Sequence, residues 1–147
     1  MKLLLTLLLG IALLGPHGGI LKAEEDEDSA SVEIIRQGAE QGDAFAQYEL
    51  GVCYHKGNGV AKDAIEAVKW WRKAAEKGLA PAQSKLAGCF ALGEVVPKDY
   101  VAAYMWANLG AATEKSARKI REYVEKKMTA EQIAEAQRLS RDWKPRF

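Results

Sequence analysis

Between residues 44 and 56 apolar side chains recur at helical spacing along two stripes. Ala46, Leu50, Cys53 and Tyr54 form one, which is expected to face the partner helix of a hairpin. Phe45, Tyr48, Val52 and His55 follow i, i+3, i+7, i+10 on the neighbouring face. A helix apolar over that much of its circumference belongs to the inner layer of a stacked structure. Gly57-Asn58-Gly59 breaks the pattern as a turn. Asp63 then caps a second helix running to about Lys77, and Gly78 closes it. The whole pattern returns 36 residues on, with a helix from Pro81 to Leu92, a turn at Gly93 and a helix from Asp99 to about Ala112. In this frame Ala46 falls on Ala82, Gln47 on Gln83, Leu50 on Leu86, Cys53 on Cys89, Gly57 on Gly93, Asp63 on Asp99 and Trp70 on Trp106. Such a period predicts an all-α fold, a right-handed superhelical solenoid of antiparallel helix pairs.

The flanks fill in the organisation. Shifted by the same interval, Ile34 falls on Trp70, Arg36 on Arg72 and Ala39 on Ala75. Residues 31–41 therefore read as an N-terminal capping helix, the second half of a truncated leading repeat, with Ser31 as its cap. The full repeats are residues 42–77 and 78–113. Beyond them the match fails, since Leu86 lands on Glu122 and Phe90 on Lys126. Ala117, Ile120, Val124 and Met128 nevertheless keep helical spacing. Thr129 and Gln132 form a capping box before a last helix whose apolar face is Ile133, Ala136, Leu139 and Trp143. Residues 114–147 are thus a two-helix C-terminal cap. Residues 24–30 open on the acidic run EEDED and are expected to be a disordered linker. Ahead of them, Met1-Lys2 precedes an apolar run over residues 3–14 in which Thr6 is the one polar side chain. That run is shorter than the ~20 residues a bilayer crossing needs and fits the core of a signal peptide, residues 1–23, cleaved after Ala23.

Charge narrows the function classes. With 21 basic and 20 acidic side chains, the 147-residue chain lacks the basic excess of a nucleic-acid or membrane-surface binder. The balance is uneven along the chain, because residues 115–147 hold ten basic and five acidic residues opposite the acidic head. His17 lies in the leader, so His55 is the single histidine beyond it. One histidine and two cysteines 36 apart do not make a zinc site, and no metal or cofactor is expected. Trp70 and Trp106 share a repeat position and read as packing. Trp71 falls on Ala107, so the repeat does not demand it, and it is a candidate exposed contact. Ser116 and Lys119 match the S-x-x-K spacing of penicillin-binding enzymes. Neither S-D-N nor K-T-G accompanies them.

The pattern Gly42-Asp43, Ala46-Gln47, Leu50-Gly51, Tyr54, Gly57-x-Gly59-Val60, Asp63, Ala67, Trp70, Ala74-Ala75 and Gly78 resembles a Sel1-like repeat, a helix-turn-helix unit related to the tetratricopeptide repeat. The second copy departs from it at Ala87, Val95 and Gly110. The resemblance, over roughly residues 31–113, implies an exported protein, periplasmic or secreted in a bacterium. Its expected role is non-enzymatic: an adaptor for a protein or peptide held on the concave surface of the first helix of each repeat. Phe45, Tyr48, Val52 and His55 would line that surface, with Ser84, Lys85, Gly88 and Ala91 as their counterparts. No nucleic-acid partner and no stable membrane insertion after leader removal are expected. Two other readings stay open. One is a cell-envelope enzyme related to cysteine-rich, β-lactam-binding relatives. The other is a self-assembling structural module in which the acidic head of one copy meets the basic end of the next.

Cys53 and Cys89 occupy equivalent positions on neighbouring helices, which pack about 8–10 Å apart. A disulfide needs Cα atoms within about 7 Å. The cysteine-rich branch of the resembled family pairs cysteines within each repeat, at positions where this chain has Ala61 and Pro97. Two buried free thiols are predicted. Alkylation in denaturant without reductant should therefore add two labels to the intact mass, and an unlabelled chain carrying a Cys53–Cys89 bridge would contradict this.

Overall fold

A computed structural model describes residues 19–147, and the described residues form seven helices and no strand. They are α1 (Gly19–Glu40), α2 (Ala44–Lys56), α3 (Ala64–Glu76), α4 (Ala80–Leu92), α5 (Tyr100–Gly110), α6 (Lys115–Glu125) and α7 (Ala130–Asp142). The expected leader lies outside the described residues up to position 18. The two central hairpins, α2–α3 and α4–α5, arise where the periodicity places them. Aspartates start three of the four helices: Asp43 accepts from the Ala46 N–H at 2.7 Å, Asp63 from Ile65 and Glu66, and Asp99 from Ala102. The same turn closes both hairpins, with the Asp63 N–H donating to the Tyr54 carbonyl and the Asp99 N–H to the Phe90 carbonyl. Thr129 and Gln132 form the capping box of α7.

Two expectations about the N-terminus are corrected. Residues 24–30 are not a disordered linker but part of α1, and Ser31 lies within that helix without capping it. The physical reason is a seat on the first turn. A Cβ at Gly59, where φ is +65°, would stand 2.5 Å from the Asp28 carbonyl oxygen and 2.6 Å from Val32 Cγ2. Glycine thus lets the α1 backbone rest on the turn one helical turn ahead of Ser31. The stripe Ala46, Leu50, Cys53 and Tyr54 also packs differently from expectation. It forms a cluster with Val32, Ile35 and Ala39 of α1 and with Trp70, so it faces the preceding helix as much as its own partner.

The central core joins α3 (Ala67, Val68, Trp71, Ala74, Ala75) to α4 (Ala82, Leu86, Ala87) and α5 (Trp106, Ala107). Trp71, a candidate exposed contact from the repeat alignment, is 3% exposed. Its indole passes across Gly51 so closely that a Cβ there would lie 2.5 Å from Cδ1 and Nε1. The second repeat makes both changes at once, with Ala87 in place of Gly51 and Ala107 in place of Trp71. Trp70 and Trp106 pack as expected but unequally. Trp70 is half-buried with the Lys73 ammonium 3.8 Å from its ring, and Trp106 meets Trp143 edge-on at 6.3 Å.

The repeat frame continues past residue 113 after a slip of one residue. With a 35-residue shift, Ala80 falls on Lys115, which opens α6, Ala82 on Ala117, Gln83 on Arg118 and Cys89 on Val124. Helix α6 therefore takes the place of a third first-helix and packs on α4 and α5. The connection to α7 spans residues 126–129, shorter than 93–99 in the second repeat, and α7 packs on α5. The following segment turns back over the core, where the Arg146 N–H donates to the Glu76 carbonyl at 2.8 Å.

Gly51→Ala should drive a methyl group into a buried indole and destabilise the fold by about 1–3 kcal/mol. In the background of Trp71→Ala the same change should cost much less, because the pair then copies Ala87 and Ala107. Thermal or denaturant unfolding of the two single variants and the double variant measures the coupling.

Candidate functional site

The first helices of the three successive units, α2, α4 and α6, bound an open groove of about 610 Å³. That volume lies within the ~300–1,000 Å³ range of ligand sites. Tyr48 and His55 stand on the α2 wall. Pro81, Ser84, Lys85, Gly88, Cys89 and Leu92 of α4 form the floor, and Ser116 and Ile120 of α6 form the far wall. Val68 and Trp71 reach the groove from α3, and Lys62, Glu94, Val95 and Glu114 stand around it from the loops.

Depth and polarity follow from particular residues. Gly88 stands where the first repeat has Val52, and a Cβ there would meet only Ile120 Cδ1 at 3.8 Å. Trp71 forms an aromatic surface, with the His55 ring tilted over it at 5.4 Å and the Lys85 ammonium 5.7 Å from the indole. The Trp71 Nε1–H, buried against Gly51, has no hydrogen-bond partner among the described residues. Ser84 and Ser116 share a hydrogen bond of 2.7 Å between their hydroxyls, which ties α4 to α6. Burial, with the nearby Glu49 and Glu114 carboxylates, pushes the Tyr48 phenol above its ordinary value. Burial likewise pushes up the Cys89 thiol, against the opposing effect of Lys85.

Of the residues expected on the concave surface, Tyr48, His55, Ser84, Lys85 and Gly88 line this groove. Three do not. Phe45 is 61% exposed and leans on Tyr48 with ring centroids 6.4 Å apart. Val52 is half-buried against the central core, and Ala91 is buried with Ala103, Tyr104, Val124 and Ala136. The α6 wall was missed because the one-residue slip hides its frame. Both cysteines are free; Cys53 is buried beside α1, while Cys89 is only half-buried, on the groove floor.

Two side chains of nucleophile type, Ser116 and Cys89, lie on the groove. The Ser116 hydroxyl is engaged by Ser84, and among the described residues no hydrogen bond joins it to Lys119. A thiol held protonated by burial is a poor nucleophile. Among the described residues no three His, Cys, Asp or Glu side chains gather to bind a metal ion, and no helix is long and apolar enough to cross a membrane.

The Sel1 repeat family matches residues 44–79 and 80–112, a frame starting two residues later than the one read from the turn glycines. No curated protein matches the chain. Among solved structures, a protective antigen present in uropathogenic Escherichia coli strains and displaying an SLR fold is similar at 37% identity and a TM-score of 0.75. The match covers 81% of this chain and 26% of that one. A Sel1 repeat protein from Oxalobacter formigenes is 39% identical with a TM-score of 0.56, over 57% of this chain and 34% of the other. The chain thus spans about a quarter to a third of the length of these two proteins. Repeats of this kind typically mediate protein–protein interaction and are generally non-enzymatic scaffolds. By its paired helices, its shared caps and these two matched segments, the chain is a Sel1-repeat protein, an all-α solenoid with two full repeats.

Proposed function

We propose that the protein is an exported, non-enzymatic adaptor that holds a protein or peptide segment in the groove between α2, α4 and α6. The observation carrying this reading is the groove itself: an open cleft with an indole at its base, a lysine over that indole and no paired nucleophile and base. From Pro81 to Leu92 the floor helix rises about 16 Å, at ~1.5 Å per residue. That accommodates about five residues of an extended segment at ~3.3 Å each. Walls made of packed helices are already in place, so little ordering entropy opposes binding. Lys62, Lys85, Glu94 and Glu114 around the groove favour a segment carrying both charges around an apolar centre.

Export is proposed from the leader pattern of residues 1–23. Protein recovered from the cell envelope should begin at Glu24, as read by N-terminal sequencing. Recovery of the intact Met1 chain from the cytoplasm alone would overturn it.

A photo-crosslinking amino acid at Lys85 should trap a protein partner in the intact envelope, and one at Ala134, exposed on α7 and outside the groove lining, should not. Tyr48→Ala should weaken capture of that partner by about tenfold or more, the range of an interface anchor. Phe45→Ala should do much less. Equal crosslinking from both positions, or full capture by a folded Tyr48→Ala protein, would rule the groove out.

A further inference from the structure

Among the described residues the array begins and ends on helices with one exposed face. In the two complete hairpins the first helix turns a fixed set of positions onto its own partner: Gly51 lies against Trp71 and the Ala67 carbonyl, and Ala87 is buried with Ala107. Ala87 of α4 is fully buried. Its counterpart on α6, at the 35-residue shift, is the exposed Glu122, with Tyr123 beside it at 50% exposure and the exposed Lys119 and Lys126 flanking it along the helix. Helix α7 packs on α5 and leaves this face of α6 open. At the other end α1 is a second-helix without a described first-helix. Ser31, the counterpart of the fully buried Ala67, is exposed, and Ile34, the counterpart of Trp70, is 72% exposed.

The open faces are complementary in charge. Helix α1 carries seven acidic residues (Glu24, Glu25, Asp26, Glu27, Asp28, Glu33, Glu40) and two basic ones, a net of −5. Residues 115–127 carry six basic residues against Glu122 and Glu125, a net of +4. Arg118 and Arg121 are engaged with Ala111 and Asn108 of their own chain, and Glu33 pairs with Arg36. Among the described residues Lys119, Lys126 and Lys127 form no ion pair. Helices within each hairpin run antiparallel, so a helix completing α6 would bring its N-terminal half to the α6 C-terminus. In α1 that half holds the acidic run, and in α6 that end holds Lys126 and Lys127.

We propose that the partner for each open face is a second copy of this chain, α1 of one copy lying against α6 of the next and completing the hairpin that each lacks. The contact joins two different surfaces, so it propagates head to tail and closes only if the rotation per copy allows a ring. It leaves the groove free and does not depend on what the groove holds. Each exposed ion pair strengthens association by no more than about fivefold. Assembly is therefore salt-sensitive, falling to the single chain near 1 M salt, where the screening length is about 3 Å.

Sedimentation of the full chain with reversed charges tests this. Glu27→Lys with Asp28→Lys reverses the local charge on α1 and takes its net from −5 to −1, and Lys126→Glu with Lys127→Glu reverses the facing charge and takes residues 115–127 from +4 to 0. Each alone should lose association by tenfold or more relative to the wild-type chain in low salt, and an equimolar mixture should regain it. A wild-type mass independent of concentration and salt, or a mixture that stays monomeric, would overturn the proposal. Position is tested separately. A Ser31→Cys copy mixed with a Glu122→Cys copy should form a mixed disulfide, because these sites copy the close approach of Ala67 and Gly51. Crosslinking no better than that of either variant with itself would refute the α1–α6 pairing.

Discussion

The solenoid depends on one recurring hydrogen bond, in which each new unit satisfies the exposed carbonyl end of the helix before it. The last carbonyls of a helix have no partner within it. The Ala39 carbonyl accepts from Gln47 Nε2 at 3.1 Å and the Ala75 carbonyl from Gln83 Nε2 at 3.3 Å. The Ala111 carbonyl accepts from Arg118 Nη1 at 2.7 Å. The three acceptors are spaced 36 residues apart. The Ala39 and Ala75 carbonyls also accept from the Gly42 and Gly78 N–H groups, so losing the bond leaves the buried glutamine amide unmet, at a cost of about 1–3 kcal/mol. Alanines at 39, 74, 75 and 82 let the helices approach closely enough for the side chain to reach. The bond fixes where one hairpin sits relative to the last. The curvature and the groove follow from that placement.

Within this frame the two repeats differ where the groove lies. The pairing of Gly51 with Trp71 in one and Ala87 with Ala107 in the other keeps the hairpin spacing while placing an indole at the base of the groove only once. The exchange of Val52 for Gly88 opens the floor below α6. Equivalence of backbone and inequivalence of side chains are separable here, because the alanine seam and the glutamine–carbonyl bonds recur in both repeats while the groove residues differ.

That separation explains how much was legible in the chain. Hairpins, turns and caps were readable because periodicity, aspartates and glycines act locally. The burial of Trp71 was not, because its lack of a counterpart looked like freedom from structural demand; its neighbour Gly51 had changed with it. The acidic run was read by composition, which ignores the seat that Gly59 gives to the α1 backbone. A single-residue slip between α5 and α6 concealed the third unit, although Ala117 and Val124 were visible as apolar positions. Tyr48, His55, Ser84, Lys85 and Gly88 line the groove because they fall on one inner helical face that extends through both repeats. Ala91 was misplaced because at that point α4 has turned towards α5.

A groove whose walls come from three successive units has a property that a pocket within one hairpin lacks. Its width is set by the stacking of α2 on α4 and of α4 on α6, the latter tied by the Ser84–Ser116 bond. Loosening either interface spreads the walls and separates Tyr48 and Trp71 from Ile120. A segment that touches both walls is therefore bound by the stacked state and not by the loosened one. Its binding stabilises the array by mass action, by about 2.7 kcal/mol at a hundredfold excess over the dissociation constant. Occupancy and solenoid integrity are coupled in both directions. A stabilising change in the seam, far from the groove, favours binding by keeping the walls at the spacing the occupant requires.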